Sequence, residues 1–134
     1  PDGKWLDFCC GEYPSVQIMC IPAAGGEPIV VHNYRQDESL IKLAGWLPDS
    51  KAILFTVSTP NRGLTNYDVT GLFKVSIEDK KVEKIWKPDK KGILKLNVSP
   101  DGEYAAYIQT QSRYEGLWVL ENFLPREVAR AGTQ

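Results

Sequence analysis

The sequence predicts an all-β fold built from repeated units of short antiparallel strands. A Pro-Asp anchor recurs three times with spacings of 47 and 52 residues, at Pro1, Pro48 and Pro100. An aromatic residue stands seven positions after each anchor proline, as Phe8, Phe55 and Tyr107. Apolar residues alternate with others before these aromatics, which is the period of a half-buried strand. Self-similarity at this spacing is typical of a repeat architecture.

The strands of each repeat can be assigned in chain order as A, B, C and D. Strand B follows every anchor. Strand C is expected in each copy, at Ile18–Ile21, Leu72–Val75 and Leu117–Leu120. Strand A precedes the second and third anchors, at Leu40–Trp46 and Ile93–Val98. Strand D follows C in the first two copies, at Pro28–Val31 and Val82–Trp86. Ten strands result, in the order B-C-D, A-B-C-D and A-B-C.

The connections carry turn signals that fit this assignment. In Ser99-Pro100-Asp101-Gly102 the proline suits a type I turn and glycine ends it, so each anchor is interpreted as the A-to-B turn. Asp2, Asp49 and Asp101 therefore recur as turn residues and not as a catalytic or metal-binding set. The C-to-D turns are expected at Ala24-Gly25-Gly26 and Glu78-Asp79-Lys80. Four lysines around strand D of the second copy, Lys80, Lys81, Lys84 and Lys87, favour an edge strand. The same copy carries a seven-residue insertion between strands B and C.

A repeat of about 40 to 50 residues with four antiparallel strands is typical of a β-propeller blade. Ser99–Tyr107 and Pro1–Phe8 resemble the Ser-Pro-Asp-Gly-Lys repeat of the TolB-like, or WD40-like, propeller family. Gly116–Leu120 and the turn Gly25–Pro28 extend the resemblance, which covers the chain from Pro1 to about Pro125. Ser50 departs from the pattern, since glycine is usual there. The resemblance implies a six-bladed ring.

The predicted organisation is about three blades, two of them incomplete. Residues 1–37 hold strands B, C and D of a first blade, 38–88 a complete second blade, 89–125 strands A, B and C of a last blade, and 126–134 a polar tail. We expect a C-terminal portion of a ring, with its last outer strand and about three further blades supplied upstream. Isolated, such a portion exposes two apolar faces, so the remainder of its own propeller or a protein partner is expected against them.

Composition limits the other partners. The 134 residues are 43% hydrophobic and 25% charged, as in a globular domain. With a net charge of −1 there is no basic field to hold nucleic acid or an anionic membrane. No apolar run approaches the roughly 18 residues of a membrane-spanning helix. We therefore expect neither a nucleic-acid partner nor a membrane span.

Few residues suggest chemistry. Cys9, Cys10 and Cys20 are interpreted as buried free thiols, with one disulfide to Cys20 as the alternative, and their spacing suggests no metal. The only histidine, His32, is interpreted as a surface-loop residue, and no Gly-x-Ser-x-Gly motif accompanies it. Asn97-Val98-Ser99 is treated as a chance glycosylation match. We expect no catalytic residue, cofactor or metal.

One set of residues suggests binding. Because strand direction alternates, the B-to-C and D-to-A connections lie at one end of the blades. Tyrosine and arginine, which are enriched at binding hot spots, recur there, as Tyr13, Tyr34, Arg35, Arg62, Tyr67, Arg113 and Tyr114. This end is our candidate binding surface for protein or a small ligand; the alternative is a set of ordinary solvated loops.

The leading functional hypothesis is a non-catalytic interaction or scaffold module. Two alternatives stay open: a substrate-gating accessory propeller of a prolyl oligopeptidase-like serine hydrolase, and a propeller enzyme with a central-channel site elsewhere in the ring. The family resemblance implies a periplasmic or extracellular location, while unpaired cysteines leave a cytoplasmic one open.

Overall fold

The computed structural model describes residues 2–12, 14–35, 39–60, 67–111 and 114–124. These residues form ten strands: β1 (Trp5–Cys10), β2 (Ser15–Pro22), β3 (Ile29–Arg35), β4 (Leu40–Trp46), β5 (Ala52–Pro60), β6 (Tyr67–Ser76), β7 (Val82–Trp86), β8 (Ile93–Val98), β9 (Tyr104–Gln111) and β10 (Tyr114–Glu121). The described part of the chain contains no helix. The all-β class and the ten strands predicted from the sequence are confirmed.

The strands form three antiparallel sheets. The first has the order β1-β2-β3, the second β4-β5-β6-β7 and the third β8-β9-β10. Strand β7 lies at the edge of the second sheet, as its lysines predicted. On that edge Glu83 bridges Lys74 and Lys81, with a carboxylate oxygen 2.8 Å from each ammonium. Hydrogen bonds from Lys74 and then Lys81 lower the pKa of Glu83 to about 2.

The second sheet lies between the other two and is buried on both faces. Alternation along β5 sends Ile53 and Phe55 into a core shared with the first sheet, which includes Ile18. The neighbouring residue Leu54 enters a separate core shared with the third sheet, together with Leu96. Because β5 is buried on both faces, its residues from Ala52 to Val57 are all apolar except Thr56.

The second and third Pro-Asp anchors form the predicted turns. The Ser50 amide donates to the Leu47 carbonyl at 2.9 Å, and the Gly102 amide donates to the Ser99 carbonyl at the same distance. Ser50 and Gly102, the last residues of these two turns, have φ of 58° and 72°. Each is therefore a type I turn that ends in a residue with left-handed backbone conformation. In each anchor turn the aspartate Oδ1 accepts the amide two residues on at 3.0 Å, as in the pairs Asp2–Lys4, Asp49–Lys51 and Asp101–Glu103. The structural interpretation of these aspartates is confirmed.

The three anchor turns lie side by side at one end of the stack, called here the turn end. The Asp2 amide donates to Ser50 Oγ at 3.1 Å, which joins the first turn to the second. A Cβ on Gly102 would come within 2.8 Å of Pro48 and of Leu124, so the third turn packs directly on the second. The opposite ends of the strands, at Cys10, Arg35, Pro60, Trp86 and Gln111, therefore lie together at what is called here the loop end.

The extra residues of the second copy partly lengthen its strands. Strands β5 and β6 have nine and ten residues, whereas β9 and β10 have eight each. The rest of the insertion, at 61–66, lies outside the described residues. The second sheet consequently extends further toward the loop end.

The interpretation of His32 as a surface-loop residue is wrong. Strand β3 continues to Arg35 and pairs His32 with Ile18, which faces the second sheet. The imidazole is half-buried, with its ring centroid 6.1 Å from that of Phe55 and the planes 28° apart. Removal from water lowers the pKa of His32, because the charged form loses hydration.

The expectation of three buried cysteines is correct only for Cys20. Cys9 and Cys10 are exposed because they end β1, the edge strand of its sheet. All three are free thiols, and Cys20 pairs across the strands with Asp7 instead of with a cysteine. The alternative disulfide to Cys20 is therefore not formed.

Candidate functional site

The predicted binding residues that the structure describes are distributed over all three sheets at the loop end. Arg35 is exposed at the last position of β3, and Tyr67 is 37% exposed at the first position of β6. Tyr114 begins β10, where its backbone pairs with Gln111. Tyr13, Arg62 and Arg113 lie outside the described residues.

Tyr34 is partly committed to the core. Its ring packs with the residues between the first and second sheets, and its centroid lies 6.3 Å from that of His32. The hydroxyl forms a hydrogen bond of 3.0 Å with Ser39 Oγ across the β3–β4 connection. This contact fixes the hydroxyl at the loop end while the ring contributes to packing.

A cleft of about 360 Å³ opens at the loop end beside Tyr67. Its strand-borne lining comes from the ends of β5 and β6, at Thr59, Pro60, Asp68, Val69 and Thr70. The other wall is the β7–β8 connection, residues 87–91. The volume falls in the range of small-molecule pockets, about 300–1,000 Å³.

The wall formed by residues 87–91 is held in place where it enters the third sheet. The Gly92 amide donates to Oδ1 of the buried Asp68 at 3.0 Å, and its carbonyl accepts the Thr110 amide at 2.8 Å. Gly92 has a φ of 85°, and a Cβ there would lie 2.4 Å from the Thr110 carbonyl oxygen. Gln109 Nε2 also donates to the Lys91 carbonyl at 3.1 Å. Only glycine fits this junction.

The cleft carries more positive than negative charge. Lys87, Lys90 and Lys91 line it together with the acidic residues Asp68 and Asp89. The ammonium of Lys90 also lies 5.7 Å from the centroid of the Trp118 ring, a cation–π contact that directs this long side chain. The local excess of one positive charge contrasts with the net −1 of the chain.

Sequence reasoning missed this wall of the cleft. It assigned Lys87 to the lysines that protect an edge strand and gave the segment 88–91 no role. The sequence signal for this wall is the run Lys-Pro-Asp-Lys-Lys at 87–91, directly after strand D. In it the turn-forming pair Pro-Asp is flanked by lysines. Its relation to Thr59 and Asp68 depends on tertiary packing.

In the ranges that the structure describes, no group of three or more His, Cys, Asp or Glu side chains could hold a metal ion. The pKa of Cys9 is raised mainly by partial desolvation and to a smaller extent by the nearby Asp7 carboxylate. Burial raises the pKa of Cys20. These two thiols stay protonated near neutral pH, and a thiol is a poorer nucleophile than a thiolate.

No helix in the described residues is long and apolar enough to cross a membrane.

The fold defines an all-β protein made of stacked antiparallel sheets, and solved structures share this fold. Hydrazine synthase from Kuenenia stuttgartiensis matches with a TM-score of 0.50 and 22% sequence identity. The match covers 80% of this chain and 34% of the hydrazine synthase chain, so this chain spans about a third of that protein's length. At this identity the likeness shows the fold alone. No family model matches the chain, and no curated protein gives a significant match.

Proposed function

We propose that this chain is a segment of a TolB-like β-propeller, with one blade per sheet, and that it serves as a non-catalytic interaction module. Its outer sheet faces would pack on further blades, and its loop end would bind a protein or small ligand. The proposal rests on a comparison of equivalent positions in the three repeats. These positions are buried where they lie between two sheets and exposed where they lie on the outer face of the first or third sheet.

The face that each sheet turns toward the next one shows this most clearly. Ile18, Leu72 and Leu117 occupy the same position, because each pairs with the residue eight places after its anchor proline. Ile18 packs against the second sheet and Leu72 against the third, and both are fully buried. Leu117, on the outer face of the third sheet, is 74% exposed. A leucine in that position suits a further sheet stacked on β10.

The opposite face shows the same relation. Leu6, Ile53 and Ala105 each lie five residues after their anchor proline and pair with an apolar residue on the next strand. Ile53 and Ala105 are fully buried against the preceding sheet, whereas Leu6 is 60% exposed. The first sheet therefore also presents an apolar face at the position where the stack would continue.

Burial of these faces would contribute a large free energy. At about 25 cal/mol per Å² of apolar surface, a few hundred Å² per face is worth on the order of 10 kcal/mol. That is comparable with the whole stability of a small domain, about 5–15 kcal/mol. The partner for the two faces would be the remainder of the chain's own propeller or another protein.

Sedimentation velocity over micromolar to millimolar concentrations tests the docking of the faces. The unmodified chain should associate as concentration rises, and Leu117→Glu or Leu6→Glu should suppress this association because a carboxylate cannot be buried unpaired. Ala24→Glu, in the exposed β2–β3 turn, adds the same charge away from both faces and should associate like the unmodified chain. A chain that stays monomeric throughout, or a control that behaves like the face variants, would contradict the proposal.

The loop-end part of the proposal is tested with the full-length parent protein and its binding partner. Alanine at Tyr67, Arg62 and Tyr114 should weaken that binding. Binding that is unchanged in the triple variant would remove the loop end from the proposal while leaving the docking of the faces intact.

A further inference from the structure

We infer that the loop-end cleft is a site for a small organic oxyanion, a carboxylate or phosphate group carried on a short apolar body. The inference names a ligand class for the loop end and so rests on that part of the proposed function. It is carried by the charge, the apolar lining and the fixed backbone of the cleft.

The cationic groups of the cleft supply the recognition chemistry. Lys87, Lys90 and Lys91 come from one five-residue segment, and each ammonium has three hydrogen-bond donors and no acceptor. Hydrogen bonds from an ammonium to a carboxylate or phosphate are charge-assisted and stronger than neutral ones. Three lysines on one wall of the cleft therefore favour an anion over a cation.

The acidic side chains leave this preference in place. Asp68 is 8% exposed and accepts the Gly92 amide, so its carboxylate serves the backbone at the base of the cleft. Asp89 lies on the wall itself and offsets one of the three lysines. The remaining excess of positive charge is small, which suits a ligand with one anionic group.

The lining next to the lysines is apolar. Pro60, Pro88 and the buried Val69 contribute carbon surface to the cleft. The Thr70 hydroxyl donates to the Val57 carbonyl at 3.1 Å, so its hydrogen is already used. Pockets that combine apolar lining with a few placed polar groups bind organic ligands with a defined orientation.

The backbone beneath the lysines is fixed before any ligand arrives. Gln109 and Thr110 of β9 hold the Lys91 and Gly92 carbonyls, and Trp118 of β10 contacts the Lys90 ammonium. The cleft is thus walled by the second sheet and anchored to the third. A preorganised site loses less conformational entropy on binding than a mobile loop does.

A polyanion is a poorer fit than a small ligand. Nucleic-acid binding depends on many simultaneous phosphate contacts, whereas the chain has a net charge of −1 and the cleft has three lysines. The volume of about 360 Å³ holds one small molecule. The inference therefore commits to a single anionic group.

Calorimetric titration of the chain with inorganic phosphate, and separately with succinate, tests the site. Both probes are used at an ionic strength of about 0.1 M, where the Debye length is about 10 Å. We expect saturable binding of one anion per chain for at least one probe. Tighter phosphate binding would assign the site to phosphoryl ligands and tighter succinate binding to carboxylates.

The double variant Lys87→Gln with Lys91→Gln should weaken the preferred probe at least about tenfold, since it removes two charge-assisted contacts. The matched control is Lys4→Gln with Lys51→Gln, which makes the same change of charge at exposed lysines of the turn end. The control should stay within about twofold of the unmodified chain, because those lysines lie at the opposite end of the strands from the cleft. Charges more than about 10 Å apart are largely screened at an ionic strength of about 0.1 M.

Equal weakening in both double variants would show general charge attraction and overturn the inference, as would non-saturable binding of both probes. Sedimentation of the same variants separates this outcome from failure of the proposed function. Association through the outer faces should be unchanged in both. If partner binding depends on Tyr67 while neither anion binds, the proposed function stands and the anion site does not.

Discussion

Leu72 and Leu117 occupy the same position in two repeats, so truncating each of them compares what a buried and an exposed leucine contribute to stability. Leu72 is fully buried between the second and third sheets, beside Thr56 on β5 and Trp86 on β7. Truncation of a buried leucine to alanine costs about 2–5 kcal/mol, through lost transfer free energy and the cavity that is left. We expect Leu72→Ala to lower the free energy of unfolding by about 3 kcal/mol.

Leu117→Ala makes the same chemical change on an uncovered face. Because Leu117 is 74% exposed, only about a quarter of its side chain is withdrawn from water. Full burial of a leucine contributes about 2 kcal/mol, so the quarter amounts to about 0.5 kcal/mol. The two substitutions should therefore differ by about 2.5 kcal/mol, or well over tenfold in the unfolding equilibrium.

Urea unfolding followed by tryptophan fluorescence measures both values, at a protein concentration low enough to keep the chain monomeric. If Leu72→Ala proves too unstable to study, Ile53→Val offers a milder buried truncation with an expected cost of about 1 kcal/mol. Equal losses at positions 72 and 117 would refute the reasoning, because the two faces would then be equally covered. At concentrations where the outer faces associate, the cost of Leu117→Ala should rise toward that of Leu72→Ala.

Three further predictions concern contacts between sheets and at the cleft. Gly92→Ala should cost at least about 1 kcal/mol in thermal unfolding, because the Cβ would strike the Thr110 carbonyl at a positive φ. Burial lowers the pKa of His32, so stability in urea should fall as the pH drops below the unfolded-state value of about 6.5. His32→Gln should flatten that dependence between about pH 8 and pH 5. Trp46→Phe should cost about 1 kcal/mol by removing the 2.9 Å hydrogen bond from Nε1 to Asp7 Oδ1, and a double-mutant cycle with Asp7→Ala should show the coupling.

The strands and turns could be predicted because their determinants are local. Each anchor combines a fixed proline φ, an aspartate that accepts an amide two residues on, and a residue that adopts a positive φ. Ser50 shows how far this pattern tolerates change: it takes a φ of 58° without being glycine. Its hydroxyl accepts the Asp2 amide, a contact between the first and second turns.

Burial within the sheets was less predictable because it depends on which faces are covered. Cys10 and Met19 lie on the outer face of the first sheet with their sulfur atoms 3.3 Å apart, and Cys10 remains exposed. A sequence can show that such a strand is apolar, yet exposure depends on whether another sheet packs on that face. His32 posed the opposite problem: the length of β3, which local sequence fixes poorly, decided that it packs on Phe55.

The cleft could not be predicted because its walls come from separate segments. Thr59 and Asp68 flank the insertion, and the lysines follow a different strand. The side chains that orient the lysine wall, Gln109 and Trp118, belong to the sheet β8-β9-β10, whereas the cleft's other wall comes from the second sheet. Only the packing of two sheets brings these residues together, and no spacing in the chain encodes that arrangement.

The two ends of the stack differ in how much change they can accept, which bears on where binding is located. At the turn end, Gly102 has no room for a Cβ beside Pro48 and Leu124, so the anchors constrain one another. At the loop end, connections differ in length and the second copy accommodates seven extra residues. Binding residues generally lie on such variable connections above a rigid scaffold. The cleft lies at that end, while the locked turns keep the sheets that form it in register.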